Sequence, residues 1–226
     1  MRRFLAGRRL PDREVGDGLG VGNGIRYAGP TGTVLIRWEG ARAPTIWTVS
    51  APQVEERDAW LELARRHLHI FGPTTPEAFA QWAGIGPQRG AAAFVELGAS
   101  LTPVRTPIGD AWILTKDEPM FRAKPRPAAP ARLLPSGDAF WLLQGADREL
   151  LVPEPDRRAS LWTSRVWPGA VLVNGEVVGT WRRADAKITI ESWRGLSPGE
   201  RDAVEAEAAS LPLPGAQGRI QVRWIP

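Results

Sequence analysis

Residues 72–113 read GPTTPEAFAQWAGIGPQRGAAAFVELGASLTPVRTPIGDAWI, and this stretch carries the clearest structural signals in the chain. Thr75 followed by Pro76 is a typical helix start, because threonine caps free N–H groups and proline lacks an N–H that would be unpaired there anyway. Gly84 is suited to ending that helix, and Pro87 can open another. The stretch therefore predicts two helices joined by a short turn.

Two strands are expected after the second helix, at 101–106 and 111–115, with turn-forming residues at 107–110 between them. An apolar stripe predicts a further helix over about 53–71. Three helices and a two-stranded hairpin, in this order, are the elements of a winged helix-turn-helix, a common DNA-binding module. The sequence thus predicts a winged helix over 51–121.

The helix expected at 87–97 has apolar residues at helical spacing, which predict one buried stripe. This stripe comprises Ala91, Phe94, Val95 and Gly98. The opposite face would present Gln88 and Arg89 at the helix start, where such proteins place residues against base edges. Glutamine can pair with adenine and arginine with guanine. Both residues could instead belong to an ordinary solvated face.

Four more residues are candidates for DNA contact. Arg105 lies in the first hairpin strand, where a wing arginine can reach the backbone or the minor groove. Thr75 stands at a helix N-terminus, which attracts phosphate, although capping alone also explains it. Arg182 and Arg183 follow a strand in the second half and could line the same groove. For the arginines, plain surface charge is the competing interpretation.

Composition restricts the function classes. The chain has 29 Lys and Arg against 25 Asp and Glu, giving a net charge of +4. Most of the cations are arginines, which suit phosphate and guanine, though GC-rich codon usage would also enrich arginine. Because cysteine is absent and the histidines are His67 and His69, we expect no metal and no cofactor. No apolar run reaches the ~18 residues of a membrane span. We therefore expect a cytoplasmic, monomeric protein with no membrane contact.

The organisation predicted from the sequence is α+β with four parts. An irregular basic start and a β-hairpin occupy 1–50, the winged helix 51–121, and a Pro-rich basic linker 122–130. An antiparallel, β-barrel-like unit with one helix is expected over 131–226. The first hairpin, at 32–49, looks like the wing of a partial second winged helix whose helices are missing or reduced.

Three local signals shape the prediction for 131–226. Asn174-Gly175 between two β-branched runs is a strong hairpin signal. Ser197 followed by Pro198 and Glu200 forms a capping box that opens a helix. The run RELLVP at 148–153 is interpreted as a strand.

The chain contains RRHLHIFGPTTPEAFAQWAGI (65–85), ARLLPSGDAFWLL (131–143) and AVLVNGEVVGTWRR (170–183). In combination these segments resemble the bacterial winged-helix DNA glycosylase family, whose members unhook bulky alkylation adducts and interstrand crosslinks. The resemblance implies tandem winged helices and a β-barrel-like unit, which together form a concave basic surface for double-stranded DNA.

The catalytic signature of that family is Gln-apolar-Gln or Gln-apolar-Asp, and we identify no match to it. Gln144-Gly145-Ala146-Asp147 is a loosely related run, with the wrong spacing. We therefore expect DNA binding with catalytic residues unknown, in a chain that begins inside the family's second winged helix. Two alternatives stay open: an active glycosylase that uses other residues, and a winged-helix module for protein contact or transcription regulation.

Overall fold

The protein is a mixed α+β molecule, described here from a computed structural model. The structure describes residues 1–22, 28–29, 31–38, 43–164, 166–212 and 218–225. The chain divides into two compact units, Met1–Glu56 and Arg57–Pro226. The finer division into four parts stays a prediction.

In the described part of the first unit, short helices pack on a small sheet. Its elements are α1 (Arg2–Leu5), β1 (Leu10–Pro11), α2 (Asp12–Leu19), β2 (Val34–Arg37) and β3 (Thr45–Thr48). The antiparallel sheet has the order β1-β3-β2. Its buried core is formed by Leu5, Val15, Val34 and Ile46. The prediction of an irregular start is therefore wrong for 2–19, where the elements are too short to give a clear periodic signal.

The second unit begins with the helices and strands that the sequence predicted over 53–115. These are α3 (Glu56–Phe71), α4 (Pro76–Ala83), α5 (Pro87–Leu97), β4 (Leu101–Thr106) and β5 (Gly109–Leu114). Thr75 caps α4 by accepting a 3.2 Å hydrogen bond from the Ala78 N–H, and Gly84 ends it in the left-handed conformation. Apolar residues of all three helices and both strands share one core.

The buried stripe of α5 differs from the predicted one. The buried residues are Gly90, Ala93, Phe94 and Leu97. Val95, expected inside, is 79% exposed, and Ala91 and Gly98 are also exposed. The physical reason is Gly90: a Cβ there would lie 2.6 Å from the Pro76 carbonyl oxygen, so only glycine lets α5 approach α4 this closely. Turning Gly90 toward α4 rotates Val95 into solvent.

The two units share part of their order of elements: in each, a helix, a short β segment and a further helix precede a β-hairpin, but in the described residues α5 has no counterpart in the first unit. In the first, β1 lies between two helices and pairs with the second hairpin strand, with Leu10 opposite Ile46. In the second, Thr74 lies between α3 and α4 and exchanges hydrogen bonds of 3.1 and 2.9 Å with Trp112 of the second hairpin strand. The hairpin at 32–49 is thus accompanied by helices that the sequence analysis missed.

The remainder of the second unit is built on a five-stranded sheet. Its strands are β6 (Ala131–Leu134), β7 (Gly169–Val173), β8 (Glu176–Ala184), β9 (Lys187–Ser192) and β10 (Gln221–Ile225). The order is β10-β9-β8-β7-β6, and every pair is antiparallel except β9 with β10. In the described part of the chain β6 and β10 each pair with one neighbour, so the sheet is open and not a closed barrel.

Four α-helices belong to this remainder in the described residues. They are α6 (Glu118–Arg122), α7 (Arg148–Leu151), α8 (Pro155–Leu161) and α9 (Pro198–Ser210). Helix α9 covers one face through Val204 and Ala208, whereas Trp141 and Leu161 belong to the core on the other face. The strand predicted at 148–153 is wrong, since α7 occupies most of it. No helix in the described ranges has the length and apolar character to cross a membrane.

Candidate nucleic-acid interface

The start of α5 presents the two residues predicted to read bases. Gly86 is the N-cap, and Gln88 and Arg89 lie exposed in the first turn. Further along the outward face of α5, Glu96 forms an ion pair with Arg57 at 2.6 Å. This carboxylate makes that part of the face less favourable for a phosphate. Exposed Val95 adds an apolar element to this face.

The β4–β5 hairpin carries a paired arginine. Arg105 is exposed in β4, and its Nη1 donates to the carboxylate of Asp110 across the hairpin. This hydrogen bond and the adjacent charge raise the pKa of Arg105. A DNA phosphate would therefore have to compete with Asp110 for this guanidinium.

Arg182 and Arg183 do not face one surface. They are neighbours in β8, so their side chains leave opposite faces of the sheet. Arg182 donates to the Val166 carbonyl oxygen at 3.2 Å, and the Nε of Arg183 donates to the Asp185 carbonyl oxygen at 2.8 Å. The structure therefore does not gather the six predicted DNA-binding residues into one continuous basic patch.

A buried polar network joins α3 to the turn at 145–147. Thr74, fully buried, donates its hydroxyl proton to the carboxylate of Asp147. The Nε2 of His67 lies 3.4 Å from the same hydroxyl oxygen and is therefore its donor. The sequence analysis did not predict the contact between Thr74 and Asp147, because the two residues lie 73 positions apart in the chain.

Burial sets the protonation of this network. The pKa of His67 falls to about 4 because its ring is desolvated, and its Nδ1 has no hydrogen-bond partner among the described residues. Burial raises the pKa of Asp147, while the hydrogen bond from Thr74 opposes this shift. All three side chains are buried, and their hydrogen bonds connect α3, the chain before α4 and the turn at 145–147.

Arg148 lies between two tryptophans next to this network. Its guanidinium stacks 4.9 Å from the Trp162 ring and 5.7 Å from the Trp167 ring. Both indole N–H groups donate to backbone carbonyls, at 2.9 Å to Trp141 and 2.8 Å to Thr163. These tryptophans therefore serve packing in this structure. The described residues contain no group of three or more side chains suited to holding a metal ion.

The α+β fold described above is shared by a solved DNA glycosylase. The solved structure of the Streptomyces sahachiroi DNA glycosylase AlkZ superposes with a TM-score of 0.75 at 22% sequence identity, over 99% of this chain and 67% of that one. A family model described as DNA glycosylase AlkZ-like matches residues 7–212, so the chain belongs to that family. A search of curated proteins gave no match.

Proposed function

We propose that this protein binds double-stranded DNA through winged helices and acts in the repair of bulky alkylation adducts or crosslinks. Membership of the AlkZ-like DNA glycosylase family supports the repair context. The observation that carries the proposal is the α4–turn–α5 pair followed by the β4–β5 hairpin, with Gln88 and Arg89 exposed at the start of α5. We place this function in a cytoplasmic monomer.

The binding would be mainly electrostatic. Contact with about 4–6 phosphates gives a slope of about −4 to −5 for the logarithm of affinity against the logarithm of salt. Fluorescence anisotropy with a labelled duplex, titrated between 50 and 200 mM salt, measures this slope. No binding at 50 mM salt, or salt-independent binding, would refute the proposal.

The role of α5 is tested by replacing its exposed first turn. We expect Arg89→Ala to weaken duplex binding by about tenfold, in the range of one lost base or phosphate contact. Arg201→Ala, an exposed arginine on α9, is the matched control and should bind like the parent. Equal affinities for the parent and both variants would remove α5 from the interface.

We further propose that the Gln-apolar-Gln chemistry of the family does not operate here. Incubation with an alkylated duplex and detection of abasic sites tests this directly. We expect binding without base release. Release that depends on one Asp, Glu or Gln would establish an active glycosylase that uses other residues.

A protein partner is the second candidate, and exposed Val95 favours it. If α5 contacted a protein through this apolar face, Val95→Ser would abolish the contact and leave duplex binding unchanged. Under the DNA proposal, the salt-dependent duplex affinity is present and falls with Arg89→Ala.

A further inference from the structure

An exposed segment of the chain lies, in sequence, between the β4–β5 hairpin and the five-stranded sheet. We define the Met120–Arg126 segment as the end of α6 and the extended chain that follows it, with the sequence MFRAKPR. Every residue in it is exposed, and residues 123–126 belong to no helix or strand. Nothing in the family assignment gives this segment a role.

The segment exposes two large apolar side chains side by side. Met120 is 70% exposed and Phe121 is 50% exposed. Isolated exposed apolar residues are common, but an adjacent pair at the end of a short helix is costly without a partner.

The same segment is strongly cationic. Between Glu118 and Asp138 the chain has four basic residues and no acidic one. Two of these cations are paired within the protein, Arg122 with Glu118 at 2.6 Å and Arg132 with Glu207 at 3.2 Å. In the described part of the molecule Lys124 and Arg126 have no carboxylate partner, so their charge is available to an anion.

A small recess precedes the segment. Arg65 and Lys116, with the hydroxyl-bearing Ser100 and Thr115, line a cavity of about 280 Å³. Glu62 is hydrogen-bonded to Arg66 at 2.8 Å and lies 3.9 Å from Arg65, so Arg65 is only loosely paired. Two cations and two hydroxyls are a suitable lining for a phosphate group.

We infer that the Met120–Arg126 segment binds duplex DNA, with Lys124 and Arg126 on the phosphates and the Met120–Phe121 pair against an opened or distorted base step. Apolar side chains of this kind are used as wedges at base steps in the minor groove, beside basic residues. Pro125 keeps the following chain extended, which suits a strand that tracks a groove. A bulky adduct weakens stacking and so lowers the cost of such a contact. This inference rests on the proposed DNA binding.

The shortness of α6 favours DNA over a lipid surface. Helix α6 has five residues, too few for an interfacial membrane helix, and only two of its side chains are exposed and apolar. The arginine side chain also suits phosphate and base edges.

The test compares two double variants of the full chain in duplex anisotropy titrations across salt. Lys124→Gln with Arg126→Gln should reduce the magnitude of the log–log salt slope by about 2, since each lost phosphate contact removes about 0.9. Met120→Ser with Phe121→Ser should weaken affinity by roughly tenfold and leave the slope unchanged. A change in the salt slope therefore reports the phosphate contacts, and a change in affinity at constant slope reports the apolar contact.

Matched controls carry equivalent changes elsewhere. Lys187→Gln with Arg219→Gln removes two exposed cations at the β9–β10 edge of the sheet, opposite the β6 edge. Val54→Ser removes an exposed apolar side chain. Both controls should retain the parent affinity and slope. Circular dichroism melts check that all variants fold.

The outcomes distinguish the two proposals. If the parent protein fails to bind the duplex, the proposed function and this inference both fall. If the parent binds and both double variants bind like their controls, only this inference falls. Binding to phosphatidylserine vesicles that is lost in the double variants, with duplex affinity intact, would also overturn it.

Discussion

His67 shows how one residue can make stability depend on pH. Its pKa is about 4 in the folded protein because the ring is buried, against 6.5 for a solvated histidine. The unfolded chain therefore takes up a proton first, and stability falls as pH drops from about 6.5 toward 4. Between pH 7 and pH 5 the titration of His67 should lower the free energy of unfolding by about 2 kcal/mol.

Replacing His67 by phenylalanine tests this. The ring would still pack among Phe71, Phe79 and Trp82, whose centroids lie 5.0, 5.3 and 4.8 Å from that of His67. We expect the free energy of unfolding, measured with urea, to fall between pH 7 and pH 5 by about 2 kcal/mol less in His67→Phe than in the parent. An identical loss in both proteins would mean that His67 is not the source.

Asp147 should act in the opposite direction. Burial raises its pKa above the usual 3.8, so the folded state holds the proton longer than the unfolded one. The contribution of Asp147 to stability is then largest below pH 3.8 and is lost as pH rises through the raised pKa. Asp147→Asn should flatten this fall, with the amide oxygen still accepting from Thr74. Exposed Asp202→Asn is the control, and an unchanged pH profile in Asp147→Asn would contradict the assignment.

Which single-residue roles could be predicted depended on sequence distance. The role of Thr75 as a cap follows from its neighbours along the chain. Asp147 follows from nothing local, because its hydrogen-bond donor comes from a loop far away in the chain. Arg182 and Arg183 were grouped by sequence adjacency, which in a strand means opposite faces.

At the scale of elements, Gly90 sets the geometry of the α4–α5 pair. A Cβ would meet the Pro76 carbonyl oxygen at 2.6 Å and the Ala80 Cβ at 2.8 Å, so the helices would have to separate. We expect Gly90→Ala to destabilise the protein by about 1–3 kcal/mol despite alanine's better helix propensity. It should also weaken duplex binding, since the start of α5 would move.

The control for Gly90→Ala is Ala91→Gly, at an exposed position of the same helix. That change should cost only about 1 kcal/mol, from backbone entropy, and leave duplex affinity unchanged. Chemical denaturation and anisotropy together distinguish the two variants. A neutral or stabilising Gly90→Ala would show that the helices have room to adjust.

Elements with a local chemical signature were predicted correctly. The capping box at Ser197 and Glu200 is present, and Asn174 and Gly175 form the β7–β8 turn with positive φ angles of 52° and 89°. The pKa of Glu200 is lowered to about 2, mainly by its hydrogen bond to Arg194. Elements without such a signature, α7 and α8, were missed because burial against the sheet, through residues such as Leu161, decides their conformation.

At the scale of the whole molecule, the arrangement of the sheet could not be read from the sequence. Hairpins fix neighbours, but the parallel pairing of β10 with β9 spans α9 and involves no local signal. The α+β class and the relation to DNA glycosylases were predictable, because several weak motifs occur together in one order. The distribution of positive charge over the surface could not be predicted from the sequence. Ion pairs such as that of Arg105 with Asp110 neutralise individual charges, and they form only in the folded protein.

Duplex binding should be visible in the stability of the whole protein. A duplex at about 100 times its dissociation constant in 50 mM salt adds about 2.7 kcal/mol of stability. For a protein of this size that raises Tm by roughly 5–10 °C. With a log–log slope of about −4, the same duplex concentration in 200 mM salt is below the dissociation constant, and the rise should shrink to about 1 °C or less. Differential scanning fluorimetry, with protein alone at each salt as reference, measures this. An equal rise at both salts would mean that phosphate contacts do not carry the binding.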